Sequence, residues 1–278
     1  MTFPVLERVP VALQPLPVLG DELWDALIEL TALRPGEWTL VGGQMVHLHA
    51  LEHAATPPRL STDLDIVVNA RVVSGAVAHF VAAIEERGFT HDGMSPECLV
   101  HRYRRGEVSV DVLAPEGLGA RADLTTTRPG RTLEVPGGTQ ALLRTELLPV
   151  STQSNSGLVP RPSLLGAIVL KALAVGVDDT PNAQRLDLAF LLSLVEDPIA
   201  PERHSPFSRG RRAEKNTMLS FLFAGRNDRI HARLSADAHG PRLPASPLRM
   251  CPAPPRSYFP PLIGVDIDSA NRGRPAFG

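Results

Sequence analysis

The sequence predicts an α/β protein with a mixed sheet, followed by a helical hairpin and an irregular C-terminal tail, and three observations carry that expectation. The apolar run "WTLV" meets two glycines and then a breaker-free helical stretch, so strand, turn and helix follow directly. Two further strand-like runs, "DLDIVV" and "VSVDVL", are each interrupted by aspartate. After residue 160 two apolar helical windows appear, and then composition shifts to proline and arginine. The expected organisation is a core over 1–160, a helical lobe completing the site over 161–200, and a poorly ordered tail over 201–278.

Taken in order, Asp21 to Leu33 has apolar residues at helical spacing and acids near its start, and Pro35 and Gly36 stop it. "WTLV", Trp38 to Val41, is a short buried strand, and "QMVHLHALEHA" after Gly42 and Gly43 is a helix. "DLDIVV" is a strand, and Ser74 to Arg87 is an amphipathic helix closed by Gly88. Leu99 to Tyr103 and Val108 to Leu113 form a hairpin turned by "RRGE". Strand signals recur at Arg131 to Val135 and Gln140 to Val150, separated by a Gly-Gly turn. "PSLLGAIVLKALAV" opens with a Pro-Ser helix entry, and a second helix follows with Asp179 or Thr180 as cap and Pro181 in its first turn.

A chain of 278 residues with 43% hydrophobic content can bury a substantial core. Its longest apolar run, Leu164 to Val177, is broken by Lys171 and is shorter than the roughly 20 residues a membrane span needs. With no signal-peptide pattern at the N-terminus, the expectation is a cytoplasmic protein with no membrane partner. Cys98 and Cys251 match no metal or redox spacing, so disulfides are expected to play no part. The net charge of −2 conceals an acidic front, with 15 Arg or Lys against 24 Asp or Glu in 1–200, and a basic tail, with 13 against 6 in 201–278. Lysine occurs only at 171 and 215, so a lysine within an apolar helix calls for a reason.

Along a strand side chains alternate faces, so Asp63 and Asp65 point one way while Leu64 and Ile66 enter the core. Two carboxylates this close repel and are driven toward protonation unless a cation lies between them. Oxygen ligands favour Mg²⁺ or Mn²⁺. A bare Asp-x-Asp also occurs where two aspartates flank a turn in solvent, so the rest of the pattern decides. Asp111 puts a third carboxylate on a strand face it shares with Ser109. If the strands are neighbours, Asp63, Asp65 and Asp111 converge on a two-metal site, with ions roughly 3.5 to 4 Å apart clamping the entering and leaving oxygens of a phosphoryl displacement. Gly42 and Gly43 sit at a strand-to-helix turn, where backbone N–H groups and the helix dipole attract phosphate; a plain tight turn would use the same glycines.

These segments, "LVGGQMVHLHALEH", "RLSTDLDIVV", "VSVDVL", a lysine-bearing helix and "QRLDLAFLLSL", resemble the polymerase-β-like nucleotidyltransferases, specifically the AbiEii-type toxins of abortive-infection and toxin–antitoxin systems. The resemblance covers about Leu40 to Val195. It implies that Gly42 and Gly43 form the family's glycine motif, that Asp63, Asp65 and Asp111 hold metal, and that Lys171 and Asp187 are its helical lysine and aspartate. Many relatives carry serine after the first glycine, where this chain has Gly43; Ser61 or Thr62 is expected to supply the hydroxyl instead. The tail after Pro198 departs from the family's helical ending.

The implied activity is metal-dependent transfer of a nucleoside monophosphate from a nucleoside triphosphate to a hydroxyl of a tRNA 3′ end or a protein, by a toxin with a possible cognate antitoxin protein. Lys171 and the Gly42-Gly43 amides would stabilise the leaving phosphates. Asp187 would orient Lys171 or help activate the acceptor, and Lys171 would otherwise be a helix lysine whose stem reaches water. Arg59, Arg102, Arg104 and Arg105 are candidates for RNA phosphate contacts, or an ordinary solvated face. The alternatives are a small-molecule nucleotidyltransferase of the antibiotic-modifying type and a catalytically inert interaction protein of the same fold. His47, His49 and His53 suggest zinc, but on a helix His47 points away from the other two, so packing is the preferred role.

Overall fold

The computed structural model describes residues 2–119, 122–177 and 181–195. A six-stranded sheet, whose main path pairs β2 (Trp38–Val41), β3 (Asp63–Val68), β6 (Val108–Pro115), β5 (Arg102–Arg105) and β4 (Thr90–His91) in that spatial order, carries the site. It is mixed: β2 and β3 are antiparallel, β3 and β6 parallel, and β6 and β5 antiparallel. The short β7 (Glu134–Val135) extends it beside the end of β6. A second sheet joins β1 (Val11–Ala12), β8 (Thr145–Ser151) and β9 (Ser156–Pro162).

Among the described residues six helices cover the sheets: α1 (Glu22–Thr31), α2 (Gly42–Glu52), α3 (Ala76–Glu85), α4 (Gly138–Leu143), α5 (Leu164–Ala174) and α6 (Pro181–Ser193). The β-branched residues of "DIVV" and "VSVDVL" fit a sheet covered on both faces, and Leu64, Ile66, Val67, Val110 and Val112 are fully buried. One hydrophobic cluster links them to α1, α2, α3 and α5 and to Leu191 of α6. Ser163 caps α5 by accepting from the Gly166 N–H, as the Pro-Ser entry predicts. The mixed α/β class and the packing of α5 against α6 agree with the expectation.

Three local readings are corrected, and one strand was not foreseen. Gln140 to Leu143 is the body of α4 rather than strand, because Gly137 (φ +80°) turns the chain into a helix that begins at Gly138. The hairpin turns at Gly106 and Glu107, and its first strand begins at Arg102. The strand β9 contains Pro160 and Pro162, which its position on the edge of its sheet tolerates. Cys98 is disulfide-bonded, so sequence separation misled the reading that disulfides play no part. The expected tail over 201–278 and the cap at Asp179 or Thr180 lie outside the described residues.

Candidate active site

The first wall of the site is the passage from β2 to α2, which has no intervening loop. Val41 is the N-cap residue of α2 and no side chain caps the helix. Gly42 has φ +67°, the left-handed region that favours glycine, and a Cβ there would fall 1.8 Å from Asp65 Oδ2. Glycine is thus needed both for the turn and for the approach of the carboxylate. Gly43 is excluded from being larger by a different neighbour: its Cβ would lie 2.5 Å from Ser61 Cβ and 2.7 Å from Ser61 Oγ. The serine side chain therefore occupies the space that a side chain at 43 would need. Ser61 is buried and donates to Asp63 Oδ1 at 2.5 Å, whereas Thr62 is exposed.

The floor is the β3–β6 pair. Its parallel register sets Asp65 beside Asp111 and Asp63 beside Ser109. Each of Asp63, Asp65 and Asp111 offers a carboxylate oxygen, and these atoms all lie within 4.8 Å of one another. Asp63 and Asp65 are half-buried and Asp111 is buried. Burial, then the charges of Asp63 and Asp111, push the Asp65 carboxyl up to about 7, and Lys171 and Arg102 pull it the other way. Ser109, on the same strand face, is buried with its Oγ unpartnered. All-oxygen donors that repel one another, beside an unsatisfied hydroxyl, fit a hard divalent ion such as Mg²⁺ or Mn²⁺.

The helical lobe contributes cations. Lys171 on α5 is 2% exposed, and its Nζ lies 2.8 Å from Asp187 Oδ2 and donates to Gln184 Oε1 at 2.9 Å. Fully buried Asp187 also accepts two hydrogen bonds from Arg59, Nε to Oδ1 at 3.1 Å and Nη2 to Oδ2 at 2.9 Å. One carboxylate on α6 thereby holds both the helical lysine and the arginine that precedes β3. Arg59 Nη2 would lie 3.3 Å from a Cβ on Gly43, which places this cation over the first turn of α2.

The four arginines separate. Arg102 faces the carboxylates, with Nε donating to Asp111 Oδ1 at 2.8 Å and Nη2 to Asp111 Oδ2 at 2.7 Å. Arg104 pairs with Asp92, and Arg105 pairs with Glu29 and lies over the Phe89 ring, both away from the three aspartates. The histidines do not converge: His47 meets the Trp24 ring edge-on, His49 is buried against Pro162 O, and His53 bonds the His49 carbonyl. The three aspartates are the only group of at least three potential ligands among the described residues. Sequence reading missed the role of Arg102, which hairpin register could have revealed, and the contribution of Gln184, for which no sequence signal exists.

No family model matches this sequence, and no curated protein matches it. A solved structure, the crystal structure of an antigenic nucleotidyltransferase-like protein from Paracoccidioides brasiliensis, aligns over 78% of this chain and 91% of that chain, at 15% identity and a TM-score of 0.43.

Proposed function

We propose that this chain is a metal-dependent nucleotidyltransferase of the polymerase-β-like type, moving a nucleoside monophosphate from a nucleoside triphosphate to a hydroxyl of tRNA or protein. The observation that supports it is the convergence of Asp63, Asp65 and Asp111 beside the Gly42-Gly43 helix start, with the Lys171–Asp187–Arg59 network at its edge. Asp63 and Asp65, with Asp111 beside them, would hold Mg²⁺ or Mn²⁺, which supplies Lewis-acid polarisation of phosphate oxygens and a lowered acceptor pKa. The acceptor oxygen bonds to the α-phosphorus as the bond to the bridging oxygen of the β-phosphate breaks, and pyrophosphate departs. Lys171, Arg59 and the amides opening α2 offset the charge that develops on that leaving group. Asp187 fixes both cations, so the positive charge is in place before substrate arrives.

A toxin role and a cognate antitoxin follow only from the AbiEii resemblance and belong to the same proposal. The first test is thermal unfolding with Mg²⁺ plus each nucleoside triphosphate. A rise in melting temperature that needs both ligands and vanishes in Asp63→Ala supports the reading. No response from the native chain would favour the inert interaction protein. Binding without transfer to RNA or protein would point to a small-molecule acceptor.

A further inference from the structure

We propose that Arg102 stands in for a second divalent ion at Asp111, so that this site takes one metal ion rather than two; the inference rests on the metal-site reading above. The antiparallel register sets Arg102 directly opposite Asp111, on the strand next to β6. Its guanidinium engages both carboxylate oxygens in a fork, at 2.8 and 2.7 Å, and its Nη2 is also 3.7 Å from Asp63 Oδ2. A forked arginine–carboxylate pair has the geometry and strength that a lysine would not reproduce.

Charge leads to the same count. Three carboxylates and the Arg102 guanidinium leave two negative charges, and the Lys171–Arg59–Asp187 group at the edge of the site adds one positive, so a single divalent ion more than cancels them. A second ion bridging through Asp111 would sit against the guanidinium and meet its repulsion. The free pole is elsewhere: the Asp65 carboxylate makes no hydrogen bond or ion pair with a described residue, and the Asp63 carboxylate receives only the Ser61 hydroxyl and the distant Arg102. Arg102 is also singled out from its neighbours, since Arg104, two residues on and on the same strand face, turns to Asp92. Its function is to neutralise Asp111 permanently on the side of the site away from β2, leaving Asp63 and Asp65 to take the ion.

The experiment is a Mn²⁺ titration of the full chain near neutral pH, with free Mn²⁺ read by its electron paramagnetic resonance signal and the fold checked by circular dichroism. One Mn²⁺ per chain is expected for the native protein and for Arg104→Gln, which removes a nearby charge that does not face Asp111. Two are expected for Arg102→Gln. Two ions on the native chain would overturn the inference while leaving the metal site standing, and so would one ion on a folded Arg102→Gln. No Mn²⁺ on the native chain would overturn the metal site itself and, with it, the proposed function. The native count decides even if Arg102→Gln fails to fold.

Discussion

Replacing Asp65 by asparagine should stabilise the metal-free protein, a direction opposite to that of most substitutions in a half-buried site. The Asp65 carboxyl is raised from 3.8 to about 7 by burial and by its two carboxylate neighbours. A rise of roughly three units, at about 1.36 kcal/mol each, sets an upper bound of about 4 kcal/mol on the cost of ionising it in the fold. Water reaching a half-buried carboxylate screens that to about 2 kcal/mol. The sign follows from proton binding. Between about pH 4 and pH 7 the native state holds a proton that the unfolded chain has lost, so stability falls as pH rises and the deficit is complete above about 7. Asp65→Asn removes the deficit. In chelator at about pH 8 it should melt roughly 4–8 °C above the native chain, taking about 2–4 °C per kcal/mol for a protein of this size. The gain should shrink as pH falls toward about 5, where native Asp65 is largely protonated. Added Mg²⁺ should raise the native chain and leave the variant unmoved. Equal melting temperatures at about pH 8, or a gain as large at about pH 5, would refute the reasoning.

Two further substitutions probe the other walls. Lys171→Ala should raise KM for the nucleoside triphosphate at least tenfold, about 1.4 kcal/mol of lost contact, with Arg59 still holding Asp187; an unchanged nucleotide dependence in initial-rate measurements would remove Lys171 from the site. Gly43→Ser should cost about 1–3 kcal/mol, because the new side chain must displace Ser61, and adding Ser61→Gly should recover most of it. Chemical denaturation of the single and double variants reads that coupling, and additive losses would show that the two positions do not compete for one space.

The strands that carry the carboxylates were legible because aspartate interrupts apolar runs at a period of two, a pattern that packing alone does not produce. The Gly42-Gly43 turn was legible because a strand pattern met a helix pattern with no polar loop between. Their assembly was less so. Asp65 lies beside Asp111 only through the parallel β3–β6 register, which rests on the whole intervening chain and not on either strand's sequence. Arg102 shows how sensitive such placement is. A hairpin centred on Arg105 and Gly106 would have opposed Asp111 with Val100, whereas the turn at Gly106 and Glu107 opposes it with Arg102. The Asp187 link to Arg59 spans 128 positions and leaves no local trace. Arg161 was illegible for the same reason: it is buried among Glu52, Glu146 and the Pro162 carbonyl, where a surface arginine would be read from sequence.

Nucleotidyl transfer itself is tested most directly by following two labels on one nucleotide. The purified chain would be incubated with Mg²⁺, total cellular RNA or protein, and each nucleoside triphosphate labelled in turn on its α- or γ-phosphate, and the products resolved on a gel. The account predicts α-label on a tRNA-sized RNA or a protein band, γ-label in released pyrophosphate, and neither with Asp63→Ala. Transfer of the γ-label to the acceptor would contradict it, because the carboxylates would then be serving phosphoryl rather than nucleotidyl transfer.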